Sequence, residues 1–111
     1  MGIYKIKITD RYLYSLNAIA DFLGEDDNAR YAKYVCDKID SKILTLENLP
    51  RRYPPVWYNE ESGLEYRGMC IFSYIIVYEV MENPNLVKVI DIIPAKFGMD
   101  YVANVIDTYD D

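Results

Sequence analysis

The stretch Leu64 to Val80, LEYRGMCIFSYIIVYEV, carries one cation, Arg67, at the mouth of the most apolar run of the chain. Two roles fit a guanidinium there. It lies at a strand end, reaching water or pairing across the sheet with Glu65, Glu79 or Asp91, a contact worth little if exposed. Or it belongs to a functional site that uses the sheet as a rigid platform. Arg51 and Arg52 are adjacent, and such a pair is either a solvated loop or a clamp for phosphate oxygens. The chain has no histidine. The commonest general base and the commonest zinc ligand are therefore missing, and Ser-His-Asp and Cys-His mechanisms are excluded. Cys36 and Cys70 match no metal-ligand spacing and read as small apolar thiols, reduced and unbridged. No metal or cofactor is expected.

At 111 residues with 51% apolar side chains, the chain reads as one domain, 1–111, with a tail over 95–111. No apolar run reaches the roughly 18 residues of a membrane helix. MGIYKIKITD does not read as a secretory leader, so the expected location is the cytoplasm. Twelve basic against eighteen acidic residues leave a net charge of −6, which argues against a nucleic-acid-binding surface spread over the whole molecule. The acids cluster in Glu25-Asp26-Asp27, Glu60-Glu61 and Asp107, Asp110 and Asp111, so a local basic site on an acidic body stays open.

The elements that position these residues are read from periodicity. IYKIKIT, residues 3–9, alternates, with Ile6 and Ile8 on one face and Lys5 and Lys7 on the other. Thr9 or Asp10 can cap a helix whose stripe is Leu13, Leu16, Ile19, Ala20 and Leu23, ended by Gly24. Asp27 or Asn28 can cap a second, longer helix with the stripe Ala32, Val35, Cys36, Ile39, Ile43 and Leu46. Lys33, Asp37, Lys38, Asp40 and Lys42 form its solvated face. Pro50 stops it, and Arg51 to Pro55 reads as a loop. Residues 65–72 read as a strand, and YIIVYEV, residues 74–80, as a central strand buried on both faces, with Tyr74 and Tyr78 packing on one of them. Glu82 to Asn85 is a hairpin turn, Leu86 to Ile93 the last strand, and VANVI in the tail is a short helix or an edge strand. The result is an α+β domain, β-α-α-β-β-β, with an antiparallel sheet packed on a two-helix hairpin.

That ordered set resembles the RelE/ParE superfamily of type II toxin–antitoxin toxins over about residues 3–97. IYKIKITDRYLYSLNAIADFL is similar to the family's opening strand and first helix, and NARYAKYVCDKIDSKILTLENLPRR to its second helix. EYRGMCIFSYIIVYEV resembles its central hairpin and NLVKVIDII its last strand. The resemblance implies a toxin silenced by a cognate antitoxin that wraps it, with no direct DNA binding without that antitoxin. It offers two activities: ribosome-dependent mRNA cleavage, as in RelE-like members, or poisoning of DNA gyrase, as in ParE-like members.

Cleavage by the ribose 2′-OH requires several cations around one cleft and a proton carrier. The resemblance points to Arg67 and Lys96 as catalytic in that case, with Arg51, Arg52, Tyr53, Glu65 and Tyr101 as binding or proton-carrying residues. It implies that the loop after the second helix, the start of the hairpin and the residues after the last strand lie together. IPAKFGMDY, however, has Pro94 where the nuclease branch carries histidine, and only Lys96 is charged positively. The leading expectation is therefore ParE-like inhibition of a protein target such as gyrase. The alternatives are a RelE-like endoribonuclease and a non-toxic binding module.

Overall fold

The computed structural model describes residues 3–25, 28–58, 63–98 and 101. The elements are β1 (Lys5–Ile8), α1 (Asp10–Leu23), α2 (Ala29–Leu44), β2 (Pro55–Tyr58), β3 (Glu65–Ile71), β4 (Tyr74–Met81) and β5 (Leu86–Pro94). Single 3-10 turns cover Thr45–Glu47, Pro50–Arg52 and Ala95–Phe97. The VANVI segment and Asp27 lie outside the described residues.

Thr9 starts α1 from an extended conformation. Its hydroxyl accepts the Tyr12 N–H at 3.1 Å and donates to the Ile90 carbonyl at 2.8 Å. One side chain thus caps the helix and ties it to β5. The buried face of α1 is Tyr12, Leu16, Ile19 and Leu23. The expected stripe began one residue late: Leu13 is exposed, and Tyr12, at the correct three-and-four spacing from the other three, fills the core. In α2 the buried face is Ala32, Val35, Ile39 and Ile43, continued by Leu46, as the spacing predicts. Asn28 occupies the N-cap position without a side-chain cap bond.

The sheet order is β1-β5-β4-β3-β2. Both helices cover one face. Tyr12, Val35, Ile39, Ile43, Met69, Ile76, Tyr78, Val87, Val89 and Ile92 share that core. Val77 and Ile93 center a smaller cluster on the other face, with Val56, Trp57, Tyr66 and Ile75 against it. The α+β architecture matches the expectation, with two differences. The sheet is mixed, because β1 runs parallel to β5. It also gains a strand, β2, which begins at the last residue of the segment read as a loop and runs through residues given to no element. Pro55 is its first residue, and an edge strand tolerates a residue without an N–H there.

Two irregularities shape the functional ends. Val56 is an extra residue in the β2–β3 pairing and lies over Gly68, where an added Cβ would come within 2.7 Å of its methyl. The glycine after Arg67 therefore allows close approach of the edge strand. In β5, Val89 faces Tyr78 and Asp91 faces Val77, leaving Ile90 as a bulged residue. Its carbonyl takes the Thr9 hydroxyl, and Asp91 meets Arg11 at 3.1 Å.

Candidate functional site

Five of the sequence-predicted residues, Arg51, Arg52, Tyr53, Glu65 and Arg67, come together where the turn after α2 meets the start of β3. Arg67 stands opposite Tyr78 of β4. Its Nη1 donates to the carbonyls of Tyr53 at 2.6 Å and Arg51 at 3.1 Å, and its Nη2 meets the Glu65 carboxylate at 2.8 Å. Only 12% of its side chain is exposed. Of the partners the sequence offered, Glu65 is the one it meets. The Tyr78 hydroxyl donates to the Pro50 carbonyl at 2.6 Å from a fully buried ring. Burial pushes that phenol up to about 12, against a smaller downward pull from Arg67.

The local reason is hydrogen-bond satisfaction. A single 3-10 turn leaves its last carbonyls without partners, and buried carbonyls need donors. Tyr78 and Arg67 supply them to residues 50, 51 and 53. Leu49, left-handed at φ 51, turns the chain into this segment.

Arg51 points outward. Its Nη1 donates to Glu82 at 2.6 Å and to the Tyr4 hydroxyl at 3.3 Å. Burial lowers its pKa, but the bonds to Glu82 and Tyr4 outweigh that and raise it. Arg52 donates to the Thr45 carbonyl at 3.1 Å and lies 5.3 Å from the Tyr53 ring center, and Lys42 approaches the same ring at 5.7 Å. Lys42, Tyr4 and Glu82 were missed by the sequence reading. Lys42 had been placed on a solvated helix face, and no local signal marked the other two. A cleft of about 140 Å³ is lined by Arg51, Leu64, Glu65 and Arg67.

Lys96 and Tyr101 do not join this group. Pro94 pairs with Tyr74, whereas Arg67 pairs with Tyr78. The two positions are thus separated by about 13 Å along β4, at ~3.3 Å per residue, and by two strand spacings sideways. The expectation that the residues after the last strand lie beside the start of the hairpin is corrected. The β3–β4 turn brings the start of β3 to the end of β4, while β5 ends beside the start of β4, at the opposite end of the strands. Lys96 and Tyr101 instead line a second cleft of about 380 Å³ with Tyr14 and Phe22 of α1 and Tyr74 of β4. Lys96 lies over Phe97 at 5.9 Å, and Phe97 meets Tyr101 at 4.8 Å. Tyr14 and Phe22 were passed over because they stand off the buried stripe, and both are well exposed.

The chemistry open to this arrangement is narrow. Among the described residues no group of His, Cys, Asp and Glu could hold a metal ion. Cys36 is no activated nucleophile, because burial and then Asp40 push its thiol up. No described helix is long and apolar enough to cross a membrane. What remains is an anchored basic loop at one end and an apolar cleft at the other.

The fold is shared with solved chains of toxin–antitoxin systems. A chain from the chromosomal ParDE toxin–antitoxin system of P. aeruginosa superposes with a TM-score of 0.65 at 14% identity, covering 83% of this chain and 96% of its own. The E. coli toxin RelE, as a double-arginine mutant in the free state, superposes at 0.55 and 18% identity, covering 96% and 99%. No curated protein sequence matches the chain significantly. The profile of the ParE toxin of type II toxin–antitoxin systems, parDE, matches residues 6–97. This spans β1 through the turn after β5, and the chain belongs to that ParE toxin family.

Proposed function

We propose that this toxin acts by gripping a protein target of the DNA gyrase kind, and that its basic loop is an anchor rather than a catalytic center. The observation that carries this reading is the state of Arg67. Its guanidinium is largely buried and donates to two carbonyls and one carboxylate, so it has little left to offer a phosphate. Stabilising a pentavalent phosphorus centre needs preorganised donors aimed at the developing charge, and here they are aimed inward. Lys96 lies too far along the sheet to complete such a cleft. The net charge of −6 adds repulsion from RNA, and a protein surface imposes no such demand.

Family membership brings with it a cognate antitoxin as partner. The test has three arms. Induced expression without the antitoxin arrests growth. Purified, folded protein inhibits supercoiling by gyrase in vitro. The same protein added to translating ribosomes leaves mRNA intact. Unchanged supercoiling refutes the target assignment, and cut message refutes the anchor role. RelE-like cleavage remains the second reading, favoured by Lys42 and Arg52 converging on Tyr53, an arrangement that could stack a base and hold its phosphate.

A further inference from the structure

We propose that the tip of the β3–β4 hairpin, with Phe72 as its leading contact, is the surface that grips the protein target, and that it fits an apolar pocket rimmed by carboxylates. This rests on the reading above that the target is a protein; the chemistry of the tip does not. Phe72 is the first residue of the two-residue turn between β3 and β4, which Ile71 and Tyr74 close as a pair. Its backbone is left-handed at φ 53. A bulky side chain rarely takes that conformation, which glycine, asparagine or aspartate adopts at lower cost. Core burial does not account for it, because Phe72 is half exposed. A strained, uncovered aromatic at a turn points to function. Tyr34 of α2 meets the Phe72 ring edge to face, with centers 6.4 Å apart and planes at 61°. That contact holds the ring without covering it, and Tyr34 is itself half exposed. Tyr31, one turn earlier on the same side of α2, is equally exposed. Aromatic rings held rigid and uncovered are the material of binding hot spots.

Charge selects the occupant. The Lys38 ammonium lies 5.6 Å from the center of the Tyr34 ring, and that of Lys96 lies 5.9 Å from the center of Phe97. The Ala95 amide donates to the Ser73 carbonyl at 2.8 Å, which pins the turn carrying Lys96 to the hairpin tip. Two cations therefore stand near Phe72, one carried by α2 and one by the turn after β5. Among the described residues neither is in an ion pair, whereas Lys33 is held by Asp37 at 2.8 Å. They sit on a protein of net charge −6. A second copy of the chain is a poor occupant, because tip against tip would bring like ammonium groups together. A pocket that takes the ring and carries Asp or Glu on its rim complements both features. The Arg67 loop is about 16 Å away along β3, at ~3.3 Å per residue, so the two regions are separable by mutation.

The test uses the full chain, purified gyrase and a supercoiling assay, with each variant assayed well below its own Tm. Phe72→Asn places a residue that accepts the left-handed turn, so Tm is expected to hold or rise. The concentration needed to inhibit supercoiling is expected to rise at least about thirtyfold, as for a central hot-spot residue. Lys38→Glu/Lys96→Glu, checked for unchanged circular dichroism, is expected to weaken inhibition about tenfold and to remove its dependence on salt. Undiminished inhibition by either variant overturns the proposal. A Tm lowered by more than about 5 °C in Phe72→Asn makes the ring a packing group of the fold, and overturns it too. A labelled single-stranded oligonucleotide bound by the parent and lost by Phe72→Asn makes the tip a stacking platform for nucleic acid, and the protein assignment is wrong. Growth arrest is scored on the same variants. If the parent arrests growth but leaves supercoiling unchanged, the gyrase reading fails, while loss of arrest in Phe72→Asn still upholds the tip as the gripping surface. Arrest retained by Phe72→Asn overturns it.

Discussion

Replacing Arg67 separates an anchor from a catalytic cation. In Arg67→Ala the carbonyls of Arg51 and Tyr53 lose their donor, and Glu65 loses its partner. A hydrogen bond to a charged group contributes about 1.5–3 kcal/mol when it is shielded, and the half-exposed Glu65 contact adds little. Two carbonyl bonds on a partly buried turn therefore put the loss at about 2–4 kcal/mol. For a domain near this size that is a drop in Tm of roughly 10–20 °C. Arg67→Lys keeps the charge but cannot span both carbonyls with a planar fork, so about half the loss is expected. Thermal unfolding followed by circular dichroism gives Tm. The single tryptophan, Trp57, lies on the neighbouring strand at 5.7 Å from Tyr66 and reports the same region by fluorescence. Growth arrest is scored on the same variants. A Tm within about 2 °C of the parent, together with complete loss of toxicity, would refute the anchor argument and make Arg67 a working cation of the site.

Further outcomes follow from other contacts. Tyr12 is buried with a hydroxyl that meets no partner among the described residues, so Tyr12→Phe is expected to raise stability by about 1 kcal/mol, read as a higher urea midpoint. Gly68→Ala drives a methyl into Val56 and costs about 1–3 kcal/mol, and adding Val56→Ala recovers part of the loss. The Tyr78 phenol keeps its proton in the fold up to about pH 12, while an unfolded tyrosine releases it near 10. Above pH 10 the unfolded state therefore binds fewer protons at this group, so stability falls as pH rises from 10 to 12, by about 2–3 kcal/mol from Tyr78 alone, with Tyr12 adding to the decline. Tyr78→Phe should flatten that decline in unfolding curves taken at successive alkaline pH values.

Most of the scaffold was legible because burial imposes a period. The stripe of α2 and the central strand β4 were read almost residue for residue, since one long apolar face and one run buried on both faces leave few alternatives. The first turn of α1 was misread where Tyr12 and Leu13 compete, because the more apolar leucine was chosen although Tyr12 holds the three-and-four spacing from Leu16, Ile19 and Leu23. β2 was hidden because paired prolines mask a strand that needs only a few hydrogen bonds at an edge. The candidate site was half legible. Arg51, Arg52, Tyr53, Glu65 and Arg67 do converge, but the directions of the guanidinium groups depend on carbonyls whose exposure is set by a 3-10 turn. Lys96 was misplaced because strand polarity, not sequence distance, fixes which ends meet.

The use of charge in this molecule links these points. Arg11 holds Asp91 at the β5 bulge, Arg51 holds Glu82, Arg67 holds Glu65, and Lys88 lies near Glu79. Three of these pairs join neighbouring strands or join the sheet to a helix or turn, and the Arg67–Glu65 pair lies within β3, so these cations serve internal geometry. Lys5 and Lys7 differ: they are exposed and stand two residues apart on β1. Stability is therefore expected to depend only weakly on ionic strength, because the internal pairs are partly buried and poorly screened. Raising salt from low to moderate levels should leave Tm nearly unchanged, and a marked fall would show that the exposed pairs, Arg51 with Glu82 foremost, carry more of the stability than the buried ones.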